Sequence, residues 1–139
     1  MKVAVLMSGG IDSSIASYLL LKEGCEVIGV FIKMYPQSLC CSDEALNRAK
    51  EFSNRFNYPF YVLDASEAFQ KYVIQDFISS YENGFTPNPC VVCNKYIKFG
   101  LFLNYDLNKL NANFIASGHY ARIMKDNNRF LLLKGIDPL

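Results

Sequence analysis

The first twenty residues contain a short apolar run that stops at a glycine pair and continues as a helical pattern. The run from Val3 to Leu6 is bounded by turn residues and too short for a helix, which favours a buried strand. Beyond Gly9-Gly10, apolar residues recur at helical spacing: Ile15, Ala16, Leu19 and Leu20. A strand, a glycine turn and a helix form the first half of a βαβ unit, so the chain must contain a parallel sheet.

The turn itself has the composition of an anion site. Its glycines can adopt positive φ and allow backbone N–H groups to approach a ligand closely. The helix that follows presents unpaired N–H groups and the positive end of its dipole. The turn lacks the Lys-Ser/Thr ending of a Walker A loop and the third glycine of a dinucleotide fingerprint, so we expect a phosphate site of another class.

Asp12 lies inside this turn, in the run Ser8-Gly9-Gly10-Ile11-Asp12-Ser13-Ser14. A carboxylate beside a phosphate is repulsive unless a cation lies between them, so we infer that Asp12 binds Mg²⁺ that bridges to the phosphates. The simpler interpretation is an ordinary turn in which Asp12 or Ser13 caps the helix. The run resembles the PP-loop of the ATP pyrophosphatase superfamily, whose members split ATP into AMP and pyrophosphate to adenylate a substrate.

The rest of the chain alternates strands and helices. Further strands are predicted at 26–33, 59–63 and 113–117, with a terminal hairpin around Asn127-Asn128. Two helices are predicted to begin at the N-caps Ser42 and Ser66, and the second of these is predicted to end at Asn83-Gly84. A further helix is predicted from 94 to about 108. This pattern predicts an α/β fold with a doubly wound parallel sheet of the PP-loop type. The Ser8 turn, the residues after Lys33 and the Gly118-His119 turn should then converge at the carboxyl ends of the strands.

Composition sets modest limits. With 139 residues, 51% of them hydrophobic, we expect one domain over residues 1–139. The net charge of +1 neither favours nor excludes binding of nucleic acid. A polyanion would have to meet a local basic patch, for which the candidates are Lys95, Lys98, Arg122, Lys125 and Arg129. For most of these residues, a solvated surface is the simpler interpretation. No apolar run has the length of a membrane span or a signal peptide, so we expect a cytoplasmic protein with reduced thiols and no membrane partner.

Five cysteines carry further information. Cys25 has no polar neighbours and is expected to be a small core residue. Cys40 and Cys41 are adjacent in a loop, and Cys90 and Cys93 form a CxxC between a proline-rich turn and a helix. A CxxC at a helix start should expose both sulfur atoms on one side, which favours thiolate chemistry or metal ligation. Half of a zinc site completed by the adjacent pair, or two structural thiols, are the alternatives.

A longer block around the CxxC is more specific. Two segments resemble the tRNA-uridine 2-thiouridylases: the run from Thr86 to Gly100, TPNPCVVCNKYIKFG, and the later run from Gly118 to Arg122. Cys40-Cys41-Ser42 also fits that family. The resemblance covers the whole chain. It implies an enzyme that adenylates the wobble uridine of tRNA at carbon 2 and replaces that oxygen with sulfur. The chain would then be the PP-loop ATP-binding catalytic domain of such an enzyme.

The resemblance also implies roles for individual residues. The ATP phosphates would lie against Leu6, Met7, Ser8, Gly9, Gly10, Ile11, Asp12 and Ser13, with Ile32 and Gly118 bordering the adenosine. Leu6 departs from the small residue common at its position. The target base would meet Asn88, Pro89 and Cys90, and Cys93 corresponds to the family's catalytic cysteine. Members with a cysteine at the position of Cys90 are associated with a four-iron four-sulfur cluster held by Cys90, Cys93 and a third cysteine.

The implied partners are tRNA and a sulfur-donor protein of a persulfide relay. Family members continue beyond Gly135-Ile136-Asp137 into a part that contains the third cysteine, so we expect a fragment or a split gene product completed by a second polypeptide; substitution by Cys40 or Cys41 is the alternative. Two other functions stay open: a PP-loop enzyme that adenylates another carbonyl compound, and a non-catalytic nucleotide-binding remnant. His119, the single histidine, is expected to pack or hydrogen-bond near the nucleotide rather than act as a base.

Overall fold

A computed structural model describes residues 1–35 and 42–136, apart from the side chains of residues 106–108. The strands are β1 (Lys2–Leu6), β2 (Glu26–Lys33), β3 (Phe60–Asp64), β4 (Phe114–Ser117), β5 (Ala121–Asp126) and β6 (Arg129–Lys134). The helices are α1 (Ile11–Lys22), α2 (Asp43–Arg55), α3 (Ser66–Phe69), α4 (Gln75–Glu82), α5 (Pro89–Cys93) and α6 (Phe102–Lys109). The π-helical segments Gln70–Ile74 and Asn94–Leu101 join α3 to α4 and α5 to α6, respectively.

The first four strands form one parallel sheet in the order β3-β2-β1-β4. Because parallel crossovers are right-handed, α1 and α2 cover one face, and the helices between β3 and β4 cover the other. The strand order reverses between β1 and β4, which is where open α/β sheets bind ligands. The predicted doubly wound parallel sheet is confirmed.

The two central strands form the core. Six consecutive residues of β2 are buried, from Val27 to Ile32, and β1 buries Val3, Ala4 and Val5. A strand covered by helices on both faces buries every side chain, so the period of two disappears. This explains why these strands read as continuous apolar runs in the sequence.

Helix α1 forms where the apolar spacing predicted it, but its fully buried residues are serines, while Leu20 packs partly buried against the core. Ile15 and Leu19 are 48% and 53% exposed, whereas Ser13 and Ser17 are buried. The Ser17 hydroxyl donates to the Ser14 carbonyl at 2.8 Å and is hydrogen-bonded to the Tyr58 hydroxyl at 3.2 Å. Small, internally satisfied serines allow the helix to lie close to the sheet, which an aliphatic stripe would prevent.

Three helix boundaries test the predicted caps. Ser42 caps α2 as predicted, and its hydroxyl accepts from the Ala45 N–H at 3.2 Å. Ser66 is wrong as a cap: α3 is capped by Ala65, and the Asp64 carboxylate accepts from the Ser66 N–H at 2.9 Å. The predicted end of α4 is confirmed by Asn83 at the C-cap and Gly84 at φ +75°.

The helical stretch predicted to start at 94 begins earlier, at Pro89, the first residue of α5. Asn88 is its N-cap, and the Asn88 side-chain oxygen accepts from the Val91 N–H at 3.3 Å. Pro89 occupies the first helical position, where its missing N–H costs nothing. The CxxC therefore lies within the first turns of a helix and not ahead of one.

The predicted terminal hairpin is also present. Strands β5 and β6 pair antiparallel in a separate two-stranded sheet, and Asn127 in the connecting turn has φ +53°. Within the described residues, no helix combines the length and the apolar character needed to cross a membrane.

Candidate functional site

A cavity of about 440 Å³ opens at the carboxyl ends of the parallel strands. It is lined by Leu6, Met7, Ser8, Asp12, Ser13, Phe31, Ile32, Met34, Phe69, Pro89, Cys90, Cys93, Asn94, Lys98, Ser117, Gly118 and His119. The turn after β1, the end of β2 and the turn after β4 meet here, as the sequence predicted. Helix α5, which carries the CxxC, closes the opposite side.

Hydrogen bonds within the turn after β1 hold its shape. The Ser13 hydroxyl accepts from the Ser8 N–H at 3.2 Å and donates to the Gly10 carbonyl at 3.1 Å. The Ser8 hydroxyl accepts from the Gly10 N–H at 3.3 Å. The N-cap of α1 is Gly10, which has no side chain to accept from the first helical N–H groups. These donors point from the positive end of a helix dipole, the arrangement that binds phosphate.

Two close backbone approaches fix the turn against its neighbours. Gly9 has φ +72°, and a Cβ there would overlap the Ala45 carbonyl oxygen at the start of α2. A Cβ on Gly118 would overlap the Ser13 backbone nitrogen, so the turn after β4 lies directly against the start of α1. Arg48 of α2 adds a contact that the sequence did not predict, because its Nε donates to the Gly9 carbonyl at 3.0 Å. The turn is thus enclosed by backbone and by one guanidinium.

The two cysteines of the CxxC differ in exposure. Cys90 is exposed, whereas Cys93 is 8% exposed, and both line the cavity. The expectation that both sulfur atoms are exposed on one side is therefore wrong. The Cys93 thiol donates to the Met34 thioether with 3.4 Å between the sulfur atoms, because the first residue after β2 extends beneath α5.

His119 lines the cavity. It packs and hydrogen-bonds there, as predicted, with the following contacts. Its Nδ1 is 2.6 Å from the Ser117 hydroxyl, and its ring lies 5.4 Å from that of Phe99. Burial, with a smaller contribution from the nearby Lys98 ammonium, lowers the pKa of His119. The imidazole is therefore kept neutral at neutral pH.

The structure brings most of the predicted site residues to this cavity. Those that line it are Leu6, Met7, Ser8, Asp12, Ser13, Ile32, Pro89, Cys90, Cys93 and Gly118. Gly9, Gly10, Ile11 and Asn88 do not line it: Gly9 faces α2, Ile11 is 80% exposed, and Asn88 caps α5. Cys40 and Cys41 lie outside the described residues. Their predicted roles remain predictions.

Several lining residues were not singled out from the sequence. Phe31 and Met34 belong to the end of β2, which the topology rule already marked as a ligand-binding edge. Phe69 comes from α3 and Asn94 from the residue after the CxxC, and no local pattern distinguishes either. Asn94 has a buried side-chain oxygen without a hydrogen-bond partner in the described part of the chain.

The donor set limits the metal chemistry that the cavity can support. Among the described residues, no three histidine, cysteine or acidic side chains are grouped to hold an ion. Asp12 is the acidic residue that lines the cavity there, and Lys98 is the cationic one. The arrangement combines an anion-binding helix start, one carboxylate and two thiols in a single cavity.

Curated relatives match nearly the whole chain. A Clostridium acetobutylicum protein described as tRNA-specific 2-thiouridylase MnmA is 44% identical over 144 residues, which cover 98% of this chain and 40% of that protein. A Buchnera aphidicola protein of the same description is 42% identical, over 98% of this chain and 38% of the relative. The chain thus spans about two fifths of the length of these relatives.

Solved structures share the fold at low sequence identity. A U34-tRNA thiolase, NcsA from Methanococcus maripaludis with its [4Fe-4S] cluster, superposes with a TM-score of 0.62 and 22% identity over 86% of this chain and 38% of that one. An NH3-dependent NAD synthetase from Campylobacter jejuni gives a TM-score of 0.54 at 18% identity, over 82% and 45% of the two chains. The family described as tRNA methyl transferase HUP domain matches residues 1–139. The chain therefore belongs to the tRNA methyl transferase HUP domain family.

Proposed function

We propose that this chain is the ATP-binding part of an enzyme that 2-thiolates the wobble uridine of tRNA. The observation that carries the proposal is one cavity that joins the turn after β1 to Cys90 and Cys93. The relatives that are 42% and 44% identical are described as tRNA-specific 2-thiouridylases. An adenylating site and a thiol site must share one cavity if the same base is to react at both.

We assign ATP to the end of the cavity formed by the turn after β1. The start of α1 offers N–H donors, and Gly118, which lines the cavity, brings the turn after β4 directly against the Ser13 backbone nitrogen. Asp12 would hold Mg²⁺ at this end, since carboxylate oxygen is a preferred ligand of that ion. Bound Mg²⁺ would neutralise charge on the phosphates during cleavage.

The reaction assigned to this end is adenylation. The uridine O2 attacks the α-phosphorus of ATP, the bond to pyrophosphate breaks, and the N3 proton of the base is released. The carbonyl oxygen, a poor leaving group, becomes part of AMP. The outer sulfur of a donor persulfide then attacks carbon 2 and AMP leaves. The Cys93 thiolate attacks the inner sulfur atom of this adduct, which breaks the S–S bond and releases 2-thiouridine. A disulfide between Cys93 and the donor cysteine is left, and a thiol reductant restores both thiols. We assign Pro89, Cys90 and Asn88 to the surroundings of the base and Cys93 to the sulfur step.

A four-iron four-sulfur cluster does not fit the described residues by themselves. Cys90 and Cys93 supply two thiols, and a cluster needs at least one further ligand. Cys40, Cys41 or a cysteine from a second polypeptide would have to complete the set. The proposed partners are accordingly tRNA, a sulfur-donor protein and the polypeptide that supplies the remaining part of the relatives' length, in the cytoplasm.

The test uses a chimera in which residues 1–139 replace the matching part of the Clostridium acetobutylicum relative, expressed in a strain that lacks its own 2-thiouridylase. Mass spectrometry of tRNA nucleosides measures 2-thiouridine. We expect Asp12→Asn to abolish both 2-thiouridine and tRNA-dependent pyrophosphate release. Cys93→Ser should abolish 2-thiouridine and leave pyrophosphate release intact, because the thiol acts after adenylation.

Cys25→Ser is the matched control, because Cys25 is also buried and lies outside the cavity lining. Normal 2-thiouridine in both the Asp12 and the Cys93 variants would contradict the proposal. Pyrophosphate release without any change in tRNA nucleosides would indicate another carbonyl substrate. ATP binding without turnover, with tRNA and a sulfur donor present, would indicate a nucleotide-binding remnant.

A further inference from the structure

Two tyrosines from different π-helical segments stack against each other at the surface. The rings of Tyr72 and Tyr96 are 5.1 Å apart and inclined by 9°, and their residues are 38% and 41% exposed. The Lys71 ammonium lies over the Tyr72 ring at 5.3 Å, and that of Lys95 lies over the Tyr96 ring at 4.9 Å. We refer to Lys71, Tyr72, Tyr96 and Lys95 as the tyrosine column.

The tyrosine column belongs to segments that also line the cavity. Tyr72 follows Phe69 by three residues, and Tyr96 follows Cys93 by three residues; Phe69 and Cys93 both line the cavity. A substrate whose reacting base enters the cavity near Cys93 would therefore place its neighbouring groups close to the column.

The lysines of the tyrosine column are available to an anion. Among the described residues, three ion pairs are formed, and none includes Lys71, Lys95 or the cavity residue Lys98. Two carboxylates, those of Glu67 and Asp76, lie on the helices that flank Tyr72. They also form no ion pair among the described residues. Within the described part of the chain, Lys71 and Lys95 thus place two ammonium groups directly over the stacked rings without a carboxylate bound to either, where they can meet a phosphate.

We propose that the tyrosine column binds the unpaired RNA bases next to the target uridine, and this inference rests on the function proposed above. Single-stranded RNA is recognised by stacking its bases on aromatic rings while basic side chains meet its phosphates. Stacking of a base is stronger than an exposed cation–π contact, so an incoming base displaces a lysine stem from its ring. The released ammonium then pairs with a phosphate of the same strand.

RNA suits the tyrosine column better than a protein partner does. The tyrosine column consists of two stacked rings with an ammonium group over each, and a protein interface core is depleted of lysine. A base that leaves its loop to enter an enzyme cavity also loses its own stacking partners, and its neighbours need a replacement surface.

The test measures binding of a fluorescent RNA hairpin, with uridine in its single-stranded loop, to this 139-residue chain by fluorescence anisotropy. We expect Tyr96→Leu to weaken binding about tenfold, and Tyr96→Phe to bind like the unchanged chain because the ring is kept. Lys71→Gln and Lys95→Gln should each reduce the slope of log Kd against log salt by about 1. A hairpin with cytidine in place of the uridine should lose as much affinity on Tyr96→Leu, since the column contacts the neighbouring bases.

Matched controls exist elsewhere on the chain. Tyr61 is 45% exposed on β3, and the Lys22 ammonium lies 5.4 Å from the Tyr18 ring on α1. Tyr61→Leu and Lys22→Gln should leave RNA binding unchanged. Equal affinity of Tyr96→Leu and the unchanged chain, at equal thermal stability, would overturn the inference, and so would absence of binding by the unchanged chain. Neither result would change the outcome of the thiolation assay with the chimera, which tests the proposed function separately.

Discussion

The two ends of the cavity are built in different ways. At the phosphate end, Ser8, Gly10 and Ser13 are linked by hydrogen bonds between residues at most five positions apart. At the cysteine end, the Cys93 thiol meets Met34, 59 positions earlier in the chain. One end is held largely by its own sequence, and the other by residues that only the fold brings together.

The two ends should therefore tolerate different perturbations. A locally bonded turn keeps its shape unless a backbone contact is blocked, because the hydrogen bonds among Ser8, Gly10 and Ser13 do not depend on distant elements, although the bond from Arg48 to the Gly9 carbonyl does. A buried thiol that rests on a thioether depends on the relative position of β2 and α5, so changes in either element reach it. The next three predictions test this contrast, in order of expected effect.

The largest effect is expected from Gly9→Ala. Gly9 and Gly24 both have positive φ, +72° and +78°, but a Cβ on Gly24 has nothing within 4 Å, whereas one on Gly9 would overlap the Ala45 carbonyl. Gly24→Ala should lower the free energy of unfolding by about 1 kcal/mol through backbone strain. Gly9→Ala should lower it by roughly 1–3 kcal/mol more, because the turn and α2 must separate. Urea unfolding of both variants measures the difference, and equal losses would show that the contact with α2 is unimportant.

A smaller effect is expected in the reactivity of the two cavity cysteines. Iodoacetamide should modify exposed Cys90 at least about tenfold faster than buried Cys93. Met34→Ala should accelerate modification of Cys93, because it removes both the thioether acceptor and the packing over the sulfur atom. Peptide mass spectrometry over time measures each rate. Met124→Ala on the exposed hairpin is the control, and the contact would be shown to be irrelevant if both methionine variants gave the same Cys93 rate.

The smallest effect concerns pH. Burial and the Lys98 ammonium lower the pKa of His119 in the folded protein, so below the ordinary pKa of about 6.5 the unfolded chain binds the proton more readily. Stability should therefore decline as pH falls from about 7.5 through 6.5 to the lowered pKa, and the decline should be small because the side chain is partly solvated. His119→Gln should flatten this part of the stability curve. Asp64, whose pKa is lowered by its hydrogen bonds to Ser66, acts only at much lower pH. An unchanged slope in the His119 variant would contradict the assignment.

Local patterns predicted the elements well. The strand, turn and helix at residues 2–22, the N-cap at Ser42 and the hairpin around Asn127 follow from β-branched runs, capping chemistry and turn residues, which act over a few positions. The meeting of three loops at one edge followed from the topology of parallel sheets. The N-cap at Ser66 and the helix start at 94 were wrong, because Ala65 and Asn88 take the capping positions. The apolar spacing of α1 also did not indicate that close packing would bury Ser13 and Ser17 more deeply than Ile15 and Leu19.

Short runs of residues with their own chemistry were enough to predict the fold class, which is confirmed, and to select the glycine turn after β1 and the two thiols of the CxxC as candidate site residues. Only the tertiary structure decided that Cys93 is buried against Met34 while Cys90 is exposed, that Arg48 holds Gly9, and that Tyr72 stacks on Tyr96. These contacts join positions far apart in the chain. They form only when the helices are placed on the sheet, and neither the periodicity nor the motifs of the two contacting segments indicate that placement.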